Sequence, residues 1–171
     1  LYKKDKKLFL NAYKIYISKV SDIFNYTGIN INIAPVLDVR RKNTHKVIGT
    51  RSFSNNPAIV IKLAKLCINF YKKNKIATVV KHIPGHGLSR SDTHFKMSII
   101  NANKQKLKKI DFKTFKACKS LFAMTCHAVY SVYDYYNTAT HSKIIIKKII
   151  RNYINFRGLL ISDDISMKSL K

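Results

Sequence analysis

Lys81-His82-Ile83-Pro84-Gly85-His86-Gly87, followed closely by Asp92-Thr93-His94, gathers three imidazoles, an ammonium and a carboxylate into one short stretch. Such groups can move protons, donate to sugar hydroxyls or phosphate, or ligate a metal. Asp92 stands two residues before His94, and a carboxylate against an imidazole would fix the ring's tautomer and raise its basicity. Pro84, Gly85 and Gly87 ask for a tight, specified turn rather than a slack loop. A second reactive point is Asp163-Asp164. Adjacent strand residues face opposite ways, so one of these acids can aim at a site as nucleophile, metal ligand or base while the other caps or is solvated. Metal ligation by His82, His86, Asp92 and His94 is a minority reading: the spacing matches no H-E-x-x-H helix, and no metal is expected.

These side chains need elements to bring them together. The β-branched run 76–80 reads as a buried strand that releases Lys81 and His82 at its end. Before it, a helical pattern over 2–26 stops at Gly28, and residues 29–39 read as a strand with Pro35 near its end. A loop over 40–56 carries Arg51. Asn56 and Pro57 then open a helix whose buried stripe is Ile59, Leu63, Leu66, Cys67 and Phe70. Downstream, Asp111 is expected to cap a short helix reaching Lys119, and 121–129 reads as a third strand. Ser142 can cap a helix carrying Ile145, Ile146, Ile149, Ile150 and Tyr153, though periodicity in this β-branched run leaves a strand open, and 158–164 is a last strand. Helix, then strand–helix three times, then strand is the order of a parallel α/β sheet. Asp38, Lys81 with His82, His127 and Asp163 all fall at strand C-terminal ends, which converge on one mouth in a β/α barrel. A whole barrel takes roughly 250 residues, so about four parallel strands alternating with helices make a partial (β/α)8 barrel that does not close within 171 residues.

Composition bounds the function classes. Apolar residues at 46% suit a globular core, and no apolar run approaches the ~18–20 residues of a membrane span. The start at Leu1-Tyr2-Lys3, without an initiator Met or a signal-peptide pattern, reads as an internal piece of something longer. Thirty-three Lys and Arg against eight acids give a net charge of +25, and all eight acids are Asp. The lysines are scattered without an arginine-rich tract, and the chain is rich in the Ile, Asn, Tyr and Phe of A+T-rich codons. Coding bias accounts for the excess, and no specific nucleic acid is expected as partner. Cys67, Cys118 and Cys126 sit in apolar stretches without a C-x-x-C pair, as reduced core thiols of a cytoplasmic protein do.

Five stretches in order resemble the family 3 glycoside hydrolases, in particular bacterial β-N-acetylhexosaminidases of the NagZ type. They are Ala34-Pro35-Val36-Leu37-Asp38, Ile48-Gly49-Thr50-Arg51-Ser52-Phe53, the Lys81–Gly87 motif, Asp92-Thr93-His94 and Ser162-Asp163-Asp164-Ile165-Ser166-Met167. Ile83 and Thr50 depart from the family's common Phe and Asp without removing a catalytic group. The resemblance implies a retaining hydrolase in a TIM barrel, with residues 1–171 an internal part of a single catalytic domain. It implies Asp163 as nucleophile, His94 with Asp92 as acid/base dyad, and Arg51, Lys81 and His82 as contacts to N-acetylglucosamine. The implied process is release of β-linked N-acetylglucosamine from peptidoglycan fragments in cytoplasmic cell-wall recycling, by a monomer without cofactor. Two alternatives stay open: an inactive remnant of that enzyme, and a basic nucleic-acid-binding protein.

Overall fold

Asp5 opens the first helix in the computed structural model, which describes residues 4–93 and 96–170. Its carboxylate accepts from the Leu8 N–H at 2.9 Å, and helix α1 (Lys6–Thr27) ends where Gly28 takes φ 78°, a left-handed conformation cheap only for glycine. Ile17, with Tyr13, Val20 and Phe24, packs against Cys67 and Tyr71 of helix α2 (Pro57–Lys73). Asn56 caps α2 by accepting from the Ala58 N–H at 2.8 Å, with Pro57 in the first turn and Lys72 and Lys73 in the last, as the sequence predicts.

The strands in chain order are β1 (Ile31–Asn32), β2 (Ala77–Ile83), β3 (Ser98–Ile100), β4 (Phe122–Thr125), β5 (Ala128–Tyr130), β6 (Asp134–Thr138) and β7 (Leu159–Ile161). Four of them form a parallel sheet in the order β1-β2-β4-β7; β3, β5 and β6 form a small second sheet. The fold is therefore α/β with a parallel four-stranded sheet, and the barrel is not closed. Among the described residues the outer edges of β1 and β7 pair with no strand, and Ile31 and Leu159 are 41% and 60% exposed. Helices over 104–117 and 143–153 cover the sheet together with α2. Val80, Ile83 and Ala123 from the sheet share one core with Val60, Leu107, Phe112, Phe115, Ile145 and Ile150. Each of the Val, Leu, Ile and Phe side chains among them contributes roughly 1.5–3 kcal/mol on full burial.

Three local expectations are corrected. The strand expected over 29–39 pairs only at Ile31–Asn32, because Pro35 has no N–H to give the ladder. Beyond Pro35 the chain regains the sheet through a bridge from Val36 to Lys81, with the Leu37 N–H donating to the Lys81 carbonyl at 2.6 Å. The strand expected over 121–129 is two: β4 stays in the main sheet and β5 turns into the second one, with Cys126 and His127 at the break. Asp111 caps nothing. It lies buried inside the 104–117 helix, in the π-wound turn Leu107–Asp111, and Asn103 caps that helix instead.

Asp111 is taken by a longer-range partner. Both of its oxygens accept from Arg41 Nη2, at 3.1 and 3.0 Å, while Arg41 Nη1 donates to the Val39 carbonyl at 2.7 Å. Burial pushes the Asp111 carboxyl up to about 7 against the pull of Arg41. The same helix presses on the Pro84–Gly87 turn. A Cβ on Gly85, whose φ is +139°, would lie 2.9 Å from the Asp111 Cβ, and a Cβ on Gly87 would strike the Val39 carbonyl oxygen. The tight turn expected from the sequence is thus walled by backbone on one side and a helix on the other.

Gly87→Ala should cost about 3 kcal/mol or more of stability in urea unfolding, since the obstructing atom is backbone; a cost near zero would show that the Val39 backbone yields freely. For Asp111, the folded state holds a proton more tightly than the unfolded chain, whose Asp titrates near 3.8. Stability from this group therefore rises as pH falls from about 7 toward 4. Between pH 8 and pH 5 the native chain should gain about 2–3 kcal/mol relative to Asp111→Asn. Parallel pH dependences in the two proteins would show Asp111 ionised throughout.

Candidate active site

The polar groups that the sequence puts at strand ends do meet. A cavity of about 240 Å³ is lined by Arg51, Lys81, His82, His86, His127 and Asp163, with Ile48, Met124 and Met167 among its apolar walls. Lys81 and His82 belong to the last turns of β2 rather than to the loop after it, so the sheet itself holds them. Asp163 follows β7, and His127 stands at the break between β4 and β5.

Asp38 lies beneath this cavity, 1% exposed. One carboxylate oxygen is 2.7 Å from His82 Nδ1; the other accepts from the His86 N–H at 2.6 Å and the His82 N–H at 3.4 Å. Burial alone would raise its pKa, but the charge and hydrogen bond of His82, with further help from His86, carry it below the usual carboxylate value. An ionised Asp38 can only accept, so His82 carries its proton on Nδ1 and turns Nε2 toward the cavity. That Nε2 lies 3.9 Å from Asp163 Oδ2, too far for a hydrogen bond.

Asp163 is partly buried and accepts from the Asp164 N–H through Oδ1 at 2.9 Å, which leaves Oδ2 on the His82 side. Asp164 closes the turn that follows instead of capping a helix, accepting from the Ser166 N–H at 2.8 Å and hydroxyl at 2.7 Å. Across the cavity, burial lowers the Lys81 pKa, Arg51 lowers it further, and Asp163 and Asp38 oppose the shift. Arg51 itself donates to the Val47 carbonyl at 3.1 Å and is exposed at the rim.

Of the site residues expected from sequence, Arg51, Lys81, His82 and Asp163 share the cavity. Asp92 is half-buried beside it, and its neighbour Thr93 lines the wall; His94 lies outside the described residues. Among the described residues no three His, Cys or Asp side chains are grouped as a metal would require. Sequence reasoning set Asp38 and His127 at strand ends facing the mouth and weighed His86 as a metal ligand, without giving any of them a part in catalysis or sugar binding. His86 is 4% exposed, neither ring nitrogen has a hydrogen-bond partner among the described residues, and burial lowers its pKa to about 4, so the ring is neutral at pH 7. Asp38 had a signal, since it ends an apolar strand in a chain with few acids. The state of His86 had none, because nothing local announces its burial.

The profile of the glycosyl hydrolase family 3 N-terminal domain matches residues 10–171. Beta-hexosaminidase of Shewanella frigidimarina is 36% identical over 144 residues, covering 82% of this chain and 41% of that protein. Beta-hexosaminidase A of Pseudoalteromonas piscicida is 29% identical over 91% of this chain and 29% of its own length. The crystal structure of NagZ from Neisseria gonorrhoeae in complex with N-trifluoroacetyl-D-glucosamine superposes with a TM-score of 0.89 at 30% identity, covering 97% of this chain and 50% of that one. The chain thus spans half or less of the relatives it matches. The family match over residues 10–171 and the likeness of fold agree, and the chain belongs to the glycosyl hydrolase family 3 N-terminal domains.

Proposed function

We propose that this chain carries the reacting site of a β-N-acetylhexosaminidase that removes β-linked N-acetylglucosamine from peptidoglycan fragments in the cytoplasm. The observation that carries the reading is Asp163: one oxygen is held by a backbone N–H, the other is turned to a cavity shared with an ammonium and an imidazole. That is the arrangement a carboxylate nucleophile needs, fixed in direction yet unspent on the reacting side. Asp163 attacks the anomeric carbon to give a covalent glycosyl-enzyme, which water then resolves with net retention.

The leaving oxygen needs a proton first, and the incoming water must later lose one. His94 with Asp92 takes both parts, and support comes from Thr93, which puts the chain immediately before His94 in the cavity wall. Histidine with an unperturbed pKa of ~6.5 can serve in both directions near neutrality. Lys81 and Arg51 donate to sugar hydroxyls, and His82, its Nδ1–H given to Asp38, presents Nε2 to the same cavity. Three buried free thiols suit a reducing compartment.

In the full-length protein, Asp163→Asn should lower turnover of an aryl β-N-acetylglucosaminide at least ~10³-fold while the protein stays folded, and His94→Ala should slow it roughly 10²- to 10⁴-fold. Wild-type turnover in both variants would overturn the assignment. Proton NMR of the reaction should show the β anomer of the released sugar first, with the α anomer growing in by mutarotation. An α product at first appearance would mean inversion, and Asp163 could not then be a nucleophile.

A further inference from the structure

We propose that His127 is a positioning residue for Asp163, acting through the backbone of Asp164, whose carbonyl and N–H lie on either side of its Cα. His127 is 2% exposed and spends both ring nitrogens on the protein. Nε2 lies 3.1 Å from the Asp164 carbonyl oxygen, which can only accept, so Nε2 carries the proton. Nδ1 then accepts from the Thr140 hydroxyl at 2.7 Å. With that proton committed, Thr140 receives the Thr125 hydroxyl, 2.9 Å away.

A chain of donors thus ends on the carboxylate. Thr140 gives to His127, His127 to the Asp164 carbonyl, and the Asp164 N–H to Asp163 Oδ1 at 2.9 Å. The Met167 N–H also donates to the Asp164 carbonyl, at 3.2 Å, which ties the following turn to the same atom. Thr125 closes β4 while Asp163 follows β7, so His127 couples the turn after one strand to its neighbour in the sheet. Although His127 lines the cavity, neither nitrogen is left to bind an occupant. Its effect on the reaction goes through Asp163, whose direction it sets; a misplacement of about 1 Å at a reacting atom can cost 10²-fold in rate.

Two substitutions separate the two contacts. In Gln the amide nitrogen stands as many bonds from Cα as histidine Nε2, so His127→Gln keeps a donor for the Asp164 carbonyl and gives up the Thr140 contact. In Asn the amide stands where Nδ1 does, so His127→Asn keeps the Thr140 contact and removes the side-chain donor of the Asp164 carbonyl, leaving it the Met167 N–H. The inference rests on Asp163 being the nucleophile, so the experiment has one readout tied to turnover and one that is not. In the full-length protein with an aryl β-N-acetylglucosaminide, His127→Asn should lower kcat by about 10- to 100-fold with KM within about threefold, and His127→Gln should recover most of that loss. Amide hydrogen exchange at Asp164 should quicken about tenfold or more in His127→Asn and stay near native in His127→Gln. Equal behaviour of the two variants in both measurements, or a loss confined to KM, overturns the proposal. Faster exchange in His127→Asn with native kcat would show that His127 does hold the turn but that Asp163 is not the nucleophile.

Discussion

The buried carboxylate of Asp38 is the constraint on which the site depends. An ionised group taken wholly out of water costs several kcal/mol unless it is paired and hydrogen-bonded on every side. Here both oxygens are met, by His82 Nδ1 and by the N–H groups of His82 and His86. Those donors come from the end of β2 and from the turn beyond it, while Asp38 comes from the segment that bridges β2 after Pro35. One charge therefore joins two neighbouring strand ends and bends the Lys81–Gly87 stretch around itself. The orientation of the His82 ring follows from it, with Nδ1 on the carboxylate and Nε2 toward the cavity.

Holding that stretch in place takes more than the charge. Tyr130, fully buried, donates its hydroxyl to the Gly85 carbonyl at 2.6 Å. Arg41 spans from the Val39 carbonyl to Asp111, whose backbone closes the far side of the turn. The turn can be this narrow because two glycines occupy the positions where a Cβ would meet the Asp111 Cβ or the Val39 carbonyl. Stiffness here is bought with many small, mutually dependent contacts, and a failure in any one reaches His82 through Asp38.

Periodicity and capping rules made the frame legible. The Gly28 stop, the Asn56–Pro57 start and the Ser142 cap, which accepts from the Ile145 N–H at 3.1 Å, all stand as expected, because each is decided within a few residues. The convergence of strand ends was legible too, since it follows from parallel alternation. What stayed hidden depends on partners far away in sequence. Asp111 looked like a cap because nothing nearby shows Arg41, seventy positions earlier. The 121–129 run looked like one strand because an apolar run does not reveal that its second half pairs with β3 and β6. The Lys81–Gly87 motif, legible as a cluster, looked like a loop, though its first three residues are sheet.

Two aspartates at strand ends, Asp38 and Asp163, are chemically alike, and the donors around them divide their roles. Among the described residues Asp38 accepts from three donors and lies outside the cavity lining, while Asp163 accepts from one backbone N–H and has Oδ2 on the His82 side of the cavity. The histidines divide by the same rule. His82 faces a carboxylate with Nδ1 and so protonates there; His127 faces a carbonyl with Nε2 and protonates on the opposite nitrogen. His86 faces neither, and burial keeps it neutral. A chain with no glutamate and only eight aspartates has few ways to vary its acids. It varies their partners instead, and the number of N–H groups already pointing at a carboxylate decides how much of its accepting capacity faces the cavity.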